Sequence, residues 1–339
     1  MLQGGLVLTG ALLVMAYLDG SGSVSVAAPA PTTTTAAPTT TSSPTTTSAP
    51  APLGPIPAVA SPPPVTDPYV VPDDEIEPDV KQLATDVVYS LTTYEEGDDP
   101  SERFMAVAGT DGANDLAEAG HPLTHLGQWS RSEVIYPQMG GLRNGKASVM
   151  VVARQTVGSG AETDHSVVRT LDVRLVEGET GWEFDELASA GGVFDDLGAL
   201  GLAHAVASDP RIEMPDSARL DILAGEISPE LLELMADLAE FTPYGITVMA
   251  TGHPYHVFET DRVSHHTIGR AIDIHQVGGV QVVDDRAEGS MTRAVVTWLL
   301  DHPSVAQVGS PWDFDGSGSS RSFADVVHQD HIHVAVIGG

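Results

Sequence analysis

The chain has 339 residues, which is enough for two ordinary domains with additional segments. Its 47 acidic residues outnumber 15 lysines and arginines, and the resulting net charge of −32 argues against a nucleic-acid partner. The sequence has no cysteine, so disulfides and thiolate metal sites are excluded.

The first part of the chain has the composition of an export segment followed by a linker. Residues 4–18 are uncharged and mostly apolar, but shorter than the roughly 20 residues of a transmembrane helix. We interpret residues 1–28 as a signal peptide or, because a positively charged start is missing, as an uncleaved membrane anchor. Residues 29–72 are rich in Ala, Pro, Thr and Ser and are predicted to form an extended linker. The expected location is extracytoplasmic, either secreted or tethered to a membrane or cell wall.

Residues 73–192 are predicted to form an accessory α+β domain. Apolar residues repeat with helical spacing over 80–91. Segments with strand character follow at 147–157, 171–175 and 182–187. A helix followed by an antiparallel sheet loosely resembles the cone fold of the nuclear-transport-factor-2-like proteins.

Residues 193–339 are predicted to form a second α+β domain. Ser228 followed by Pro229 predicts a helix start, and the apolar spacing continues to a helix end near Pro243. Ser290 is a second predicted helix cap. Strands are predicted at 245–251 and 332–337.

One short stretch of this second domain carries side chains typical of a metal site. Its His266 and Asp273 are metal-binding residue types, and a further pair, His331 and His333, lies near the end of the chain. Alternate residues of a strand share a face, so both members of this pair would point into one site. Catalytic zinc takes three protein ligands and leaves one position for water. The predicted ligands are His266, Asp273 and one of the two C-terminal histidines.

Two motifs contain these residues. The first, Ser-x-His-x-x-Gly-x-Ala-x-Asp, is filled by Ser264, His266, Gly269, Ala271 and Asp273, and the second, His-x-His, by His331 and His333. Together they resemble the LAS metallopeptidases, which include lysostaphin-type enzymes, D-Ala-D-Ala metallopeptidases and the hedgehog signalling domain. The resemblance covers only the C-terminal part of the chain, and it implies a fold of that type with Zn²⁺ held by His266, Asp273 and His333. It also implies that Asp330, three residues before the last ligand, is the general base.

Two roles remain open within this resemblance. We favour Asp330 as the general base and assign His331 to polarising the water or stabilising the oxyanion, but the reverse assignment is an alternative. Family members also carry an arginine ahead of the first motif that helps to hold the reacting carbonyl, and this chain lacks it there. The candidates for that contact with the substrate are His253, Arg262 and Ser264.

The resemblance implies an exported zinc-dependent peptidase that cleaves peptidoglycan stem peptides by attack of zinc-bound water. We favour an endopeptidase over a D-Ala-D-Ala carboxypeptidase because an Asp rather than a Glu stands at position 330. The alternative from another class is a non-catalytic, zinc-stabilised cell-wall binding module, as the hedgehog member shows. In a third interpretation the 73–192 domain is the functional part and the C-terminal domain its anchor. The sequence gives no prediction of oligomeric state.

Overall fold

The computed structural model describes residues 61–192, 200–316 and 321–338. The predicted signal peptide or anchor, and the linker up to residue 60, lie outside the described residues. By their contacts the described residues belong to one compact unit. Among their helices, none combines the length and apolarity needed to cross a bilayer.

The first part of the fold is an antiparallel sheet of four strands in the order β1-β2-β3-β4, with two helices packed on one face. Valines, leucines and alanines on one side of the first helix contact alternate residues of the strands, and this forms one hydrophobic core. The elements are α1 Pro78–Thr92, α2 Ser101–Ala119, β1 Trp129–Arg143, β2 Lys146–Ser159, β3 Glu162–Glu177 and β4 Trp182–Ser189.

The second part is a mixed sheet in the order β10-β9-β11-β7-β6-β5, with β8 paired to β7. The helices of this part pack on one face and enclose a second core. The elements are α3 Leu202–Ala207, β5 Ile212–Glu213, α4 Asp216–Leu223, α5 Pro229–Phe241, β6 Tyr244–Val248, β7 Ala271–Val277, β8 Val280–Gln281, α6 Met291–Asp301, β9 Val305–Gly309, β10 Ser322–Phe323 and β11 Ile332–Val336.

Local sequence signals explain where the helices of the second part begin. The Ser228 side chain accepts a hydrogen bond from the Leu231 amide at the start of α5, and Ser290 accepts one from the Arg293 amide at the start of α6. Both predicted caps are confirmed. The α+β class is confirmed as well, whereas the cone-like and LAS-type architectures remain predictions.

Alternate side chains of a strand point to opposite faces of the sheet, so only every second residue of β7 points into the second core. Ile272 and Ile274 of β7 point into it, so Asp273 and His275 point to the opposite face, towards the first sheet. There the Tyr136 ring of β1 stacks on the His275 ring with centroids 5.3 Å apart. Thr170 of β3 donates a hydrogen bond to the Thr247 carbonyl at 2.5 Å. The first sheet thus covers the face that carries the metal-binding residue types.

Residues 61–71, called the strap below, run without regular structure along α1 and β1. The Arg131 guanidinium donates to the Pro63 carbonyl at 3.0 and 2.9 Å. The Thr66 hydroxyl donates to the Ser132 carbonyl at 2.6 Å. Further along, the Gln82 amide donates to the Tyr69 carbonyl at 3.0 Å. The last part of the predicted linker is therefore bound to the folded body.

Candidate metal centre

Three buried side chains, His266, Asp273 and His333, converge on one point of the second sheet. Asp273 and His333 lie directly opposite each other on the antiparallel strands β7 and β11. Because directly opposite residues of an antiparallel pair project to the same face, their side chains meet. His266 comes from the preceding turn. All three residues were predicted as ligands from the sequence.

The distances among their donor atoms are close to those of a ligand set. His266 Nε2 lies 3.1 Å from His333 Nδ1 and 3.1 Å from Asp273 Oδ1. His333 Nδ1 lies 2.9 Å from the same Asp273 oxygen. Ligands at zinc bond lengths of about 2.0 to 2.1 Å in tetrahedral directions are roughly 3.3 Å apart. The three donor atoms lie only slightly closer together than the ligands of a zinc ion. The residues present can therefore hold a metal ion.

The outer contacts of these side chains fix their orientation. His266 Nδ1 lies 2.9 Å from the Met249 carbonyl, so the proton is on Nδ1 and the Nε2 lone pair is free for a metal. The Gln138 amide of β1 donates to Asp273 Oδ2 at 2.8 Å, which leaves Oδ1 towards the two histidines. Such outer partners are typical of metal sites.

The electrostatics of the site favour the metal-binding forms of Asp273 and His333. Burial by itself raises the pKa of Asp273, but His266 and His331 lower it more, so this pKa lies well below its ordinary value. Burial lowers the pKa of His333 to about 4. Asp273 is therefore ionised and His333 neutral near neutral pH, which is the state that binds a metal.

Gly269 of the first motif shapes the turn that presents His266. Its φ is +68°, and a Cβ there would lie 1.9 Å from the Glu226 carbonyl oxygen. The Gly269 amide donates to the His266 carbonyl at 2.9 Å, and its own carbonyl accepts from the Ser228 amide at 2.9 Å. Only glycine fits this position, which is both left-handed and sterically closed.

Asp330 and His331 occupy different places relative to the cleft. Asp330 is fully buried, and both of its oxygens are hydrogen-bonded. Oδ2 accepts from Lys81 Nζ at 2.7 Å and from the Met139 amide at 2.9 Å, while Oδ1 lies 2.7 Å from His331 Nδ1. His331 lines the cleft, and its Nε2 lies 3.8 Å from Asp273 Oδ2. Of this pair, His331 is thus the member that lines the cleft.

His253, Arg262 and Ser264 all line the cleft. The His253 ring stacks on His266 with centroids 4.1 Å apart, and burial and the neighbouring His266 lower the pKa of His253 to about 3. A neutral imidazole therefore lies beside the ligands. Ser264 Oγ accepts a hydrogen bond from the His266 amide at 3.3 Å, so this side chain also holds the turn. Arg262 is exposed at the cleft edge.

The cleft beside the three ligands has a volume of about 250 Å³. The end of β1 lines it with Gly141 and Arg143, and the segment before β11 lines it with Asp325 and His328. The further lining residues are Met139, Gly140, Leu142, Val257, Phe258, Val263, His265, Gln307, Phe323 and Val327.

Sequence reasoning missed Lys81, Gln138 and Arg143, which belong to the first sheet and its helix. Of these three, Lys81 could have been recognised as a site residue from the sequence. Lys81 is one of only two lysines in the chain, and it shares the apolar side of α1 with Ala84 and Val88. A lysine on the buried side of a helix indicates a buried anionic partner.

No protein-family model matches this chain, and neither the curated proteins nor the solved structures give a significant match.

Proposed function

We propose that this chain is a zinc-dependent peptidase of the LAS type that cleaves stem peptides of peptidoglycan. The observation that carries the proposal is the convergence of His266, Asp273 and His333 beside His331 in an open cleft. Two nitrogen donors and one carboxylate oxygen match the three-ligand set of catalytic zinc sites.

Zinc at this position would polarise a scissile carbonyl and lower the pKa of water. The protein would supply the proton transfer through His331. Because Asp330 Oδ1 lies 2.7 Å from His331 Nδ1, a proton is held on Nδ1, and in the neutral ring Nε2 would be the free acceptor. Nε2 would take the proton of the attacking water and pass it to the leaving amine, while Asp330 holds the ring. The geometry thus favours His331 over Asp330 as the acid-base group.

Two arginines of the cleft support a substrate that carries carboxylates, since the exposed carboxylate on the same lining, Asp325, is paired with His328. Arg143 and Arg262 are exposed on the lining of the cleft, and none of the described carboxylates forms an ion pair with either guanidinium. Two cations left free at one site of a protein with a net charge of −32 would attract an anionic peptide. Stem peptides are of this kind, and the export-type segment at 4–18 fits a cell-wall location.

The test is digestion of defined muropeptides by the full chain loaded with zinc, with mass spectrometry of the products. Cleavage by the wild type, together with retention of zinc but loss of cleavage in His331→Gln, would support the proposal. Release of terminal D-Ala alone would identify a carboxypeptidase rather than the endopeptidase that we favour. Binding of the wall without cleavage would identify the zinc-stabilised binding module. Equal cleavage of unrelated L-peptides would overturn the cell-wall assignment.

A further inference from the structure

The buried lysine of α1 joins the first part of the fold to the site. The exposed fraction of the Lys81 side chain is 0%, and its Nζ lies 2.7 Å from Asp330 Oδ2 and 2.8 Å from Glu75 Oε1. A buried ammonium is retained only where carboxylates compensate its charge, so Lys81 and Asp330 depend on each other. Since Asp330 also contacts His331, a continuous chain of contacts runs from Lys81 to the cleft.

A buried amide makes a second connection, directly to a ligand. Gln138 is fully buried, and its Nε2 donates to Asp273 Oδ2 at 2.8 Å. Its Oε1 has no partner among the described residues. The reversed amide would place two oxygens face to face, so the contact with Asp273 alone sets the orientation of this side chain. The same contact directs the second carboxylate oxygen, Oδ1, towards His266 and His333.

Lys81 and Gln138 both belong to the first part of the fold and precede the three metal-binding residues in the chain. We propose that Gln138 and Lys81 are positioning residues of the metal centre: Gln138 holds the ligand Asp273, and Lys81 holds Asp330 and, through it, His331. The centre is therefore shared between the two sheets, and the C-terminal part does not contain it alone. The Gln138 half is independent of the proposed function, whereas the Lys81 half rests on it.

Metal affinity tests the Gln138 half without any assay of hydrolysis. In the full chain, Gln138→Met removes the donor and keeps an unbranched side chain of similar length. We expect its affinity for Zn²⁺, measured by competition with a chromophoric chelator, to fall about 10- to 100-fold, as is usual when an outer partner of a ligand is lost.

The matched control is Gln155→Met, which makes the same change at a buried glutamine of the neighbouring strand β2. Gln155 donates to the Leu123 carbonyl at 2.7 Å and makes no contact with the site. Its variant should bind Zn²⁺ as the wild type does. Wild-type affinity in Gln138→Met, or an equal loss in both variants, would overturn the proposal. Should Gln138→Met not fold, Gln138→Asn keeps the amide one methylene short of Asp273 and is expected to lose affinity in the same direction.

Turnover tests the Lys81 half, through Lys81→Met and the double variant Lys81→Met/Asp330→Asn. The single variant leaves a buried carboxylate without its cation, whereas the double variant removes both charges and should recover thermal stability. We expect both to bind Zn²⁺ with wild-type affinity and to lose kcat with little change in KM. Recovery of kcat together with stability in the double variant would show a merely structural role and overturn this half. If the wild type cleaves nothing, the proposed function fails, and the affinity result for Gln138 still stands.

Discussion

Asp330 Oδ1 lies 2.7 Å from His331 Nδ1, and only His331 of these two neighbours lines the cleft. Groups arranged in this way act as a unit, so their losses in rate do not add. We expect His331→Gln to lower kcat by about 10²- to 10⁴-fold, the usual contribution of a positioned acid-base group, with zinc retained. The double variant His331→Gln/Asp330→Asn should lose no more than His331→Gln alone in single-turnover assays. Full rate in His331→Gln and a large loss in Asp330→Asn would restore Asp330 as the base.

Replacing any one ligand should abolish tight metal binding. His266→Ala, Asp273→Ala and His333→Ala each leave two protein donors, which is one fewer than a catalytic zinc site uses. We expect the wild-type chain to purify with about one zinc and each variant with almost none by elemental analysis. His302→Ala, at the end of α6 and outside the cleft, is the control. Stoichiometric zinc in the Asp273 or His333 variant would contradict the ligand assignment.

The two free arginines of the cleft should determine preference for anionic peptides. Arg143→Gln and Arg262→Gln should each lower kcat/KM for a peptide with a free carboxylate by roughly tenfold, because a hydrogen bond to a charged group contributes about 1.5 kcal/mol or more. The same peptide with its carboxylates amidated should show no such loss. Arg286→Gln removes one exposed charge outside the cleft and should leave both rates unchanged. Equal losses on the charged and amidated peptides would contradict this role.

The stability of the metal-free protein should depend on the ionisation of Asp330. Burial alone would raise the pKa of Asp330, but Lys81 and the hydrogen bond with His331 outweigh it and lower the pKa from 3.8 to about 2. As the pH falls, Asp330 is therefore protonated at a higher pH in the unfolded chain than in the folded protein. The stabilisation is complete above about pH 5 and is lost as the pH falls through about 2, with a total of about 2 kcal/mol.

Urea unfolding at a series of pH values would measure this contribution. The difference in unfolding free energy between the wild type and Asp330→Asn should shrink by about 2 kcal/mol from pH 5 to pH 2. Asp185→Asn replaces an exposed aspartate of β4, and its difference from the wild type should stay constant. A constant difference for Asp330→Asn as well would show that this carboxylate does not contribute.

Gly269 and Gly225 make a matched pair for the turn of the first motif. Gly225 has a φ of +79° with open space around its Cβ position, so Gly225→Ala should cost only the left-handed strain of about 1 to 2 kcal/mol. Gly269→Ala adds a collision with the Glu226 carbonyl and should destabilise the protein by more, with loss of zinc affinity because His266 moves. Equal thermal unfolding of the two variants would contradict the steric account.

The three residues that could hold a metal ion were predictable from the sequence, because a metal site combines residue types that apolar strands otherwise exclude. Asp273 stands between Ile272 and Ile274, and an unpaired carboxylate there would be costly, so a partner had to exist. The caps Ser228 and Ser290 were predictable for an equally local reason, since each precedes an apolar stripe of helical spacing.

The outer contacts of the site could not be predicted, because they depend on how the two sheets pack. Gln138 lies on β1, on the side that faces the second sheet. This side is buried but polar near the site, so the strand does not show the usual alternation of buried apolar and exposed polar residues there. The contact of Gln138 with Asp273 joins residues 135 positions apart. That His331 rather than Asp330 lines the cleft has the same origin, since Asp330 is buried against Lys81 and the Met139 amide of the first part of the fold.

The strap should respond to a mechanical pull in a defined order, because its hydrogen-bonded positions lie one after another along the chain. A pull on the chain from the amino-terminal side reaches the Pro63 carbonyl first, then Thr66, and then Tyr69. These anchors follow one another along the chain, so they bear the force in succession and open one by one. Each rests on hydrogen bonds with a net contribution of about 1 kcal/mol, far less than the cooperative unfolding of a domain. Under tension the strap would therefore peel and lengthen before any force reached α1 and the lysine that it buries.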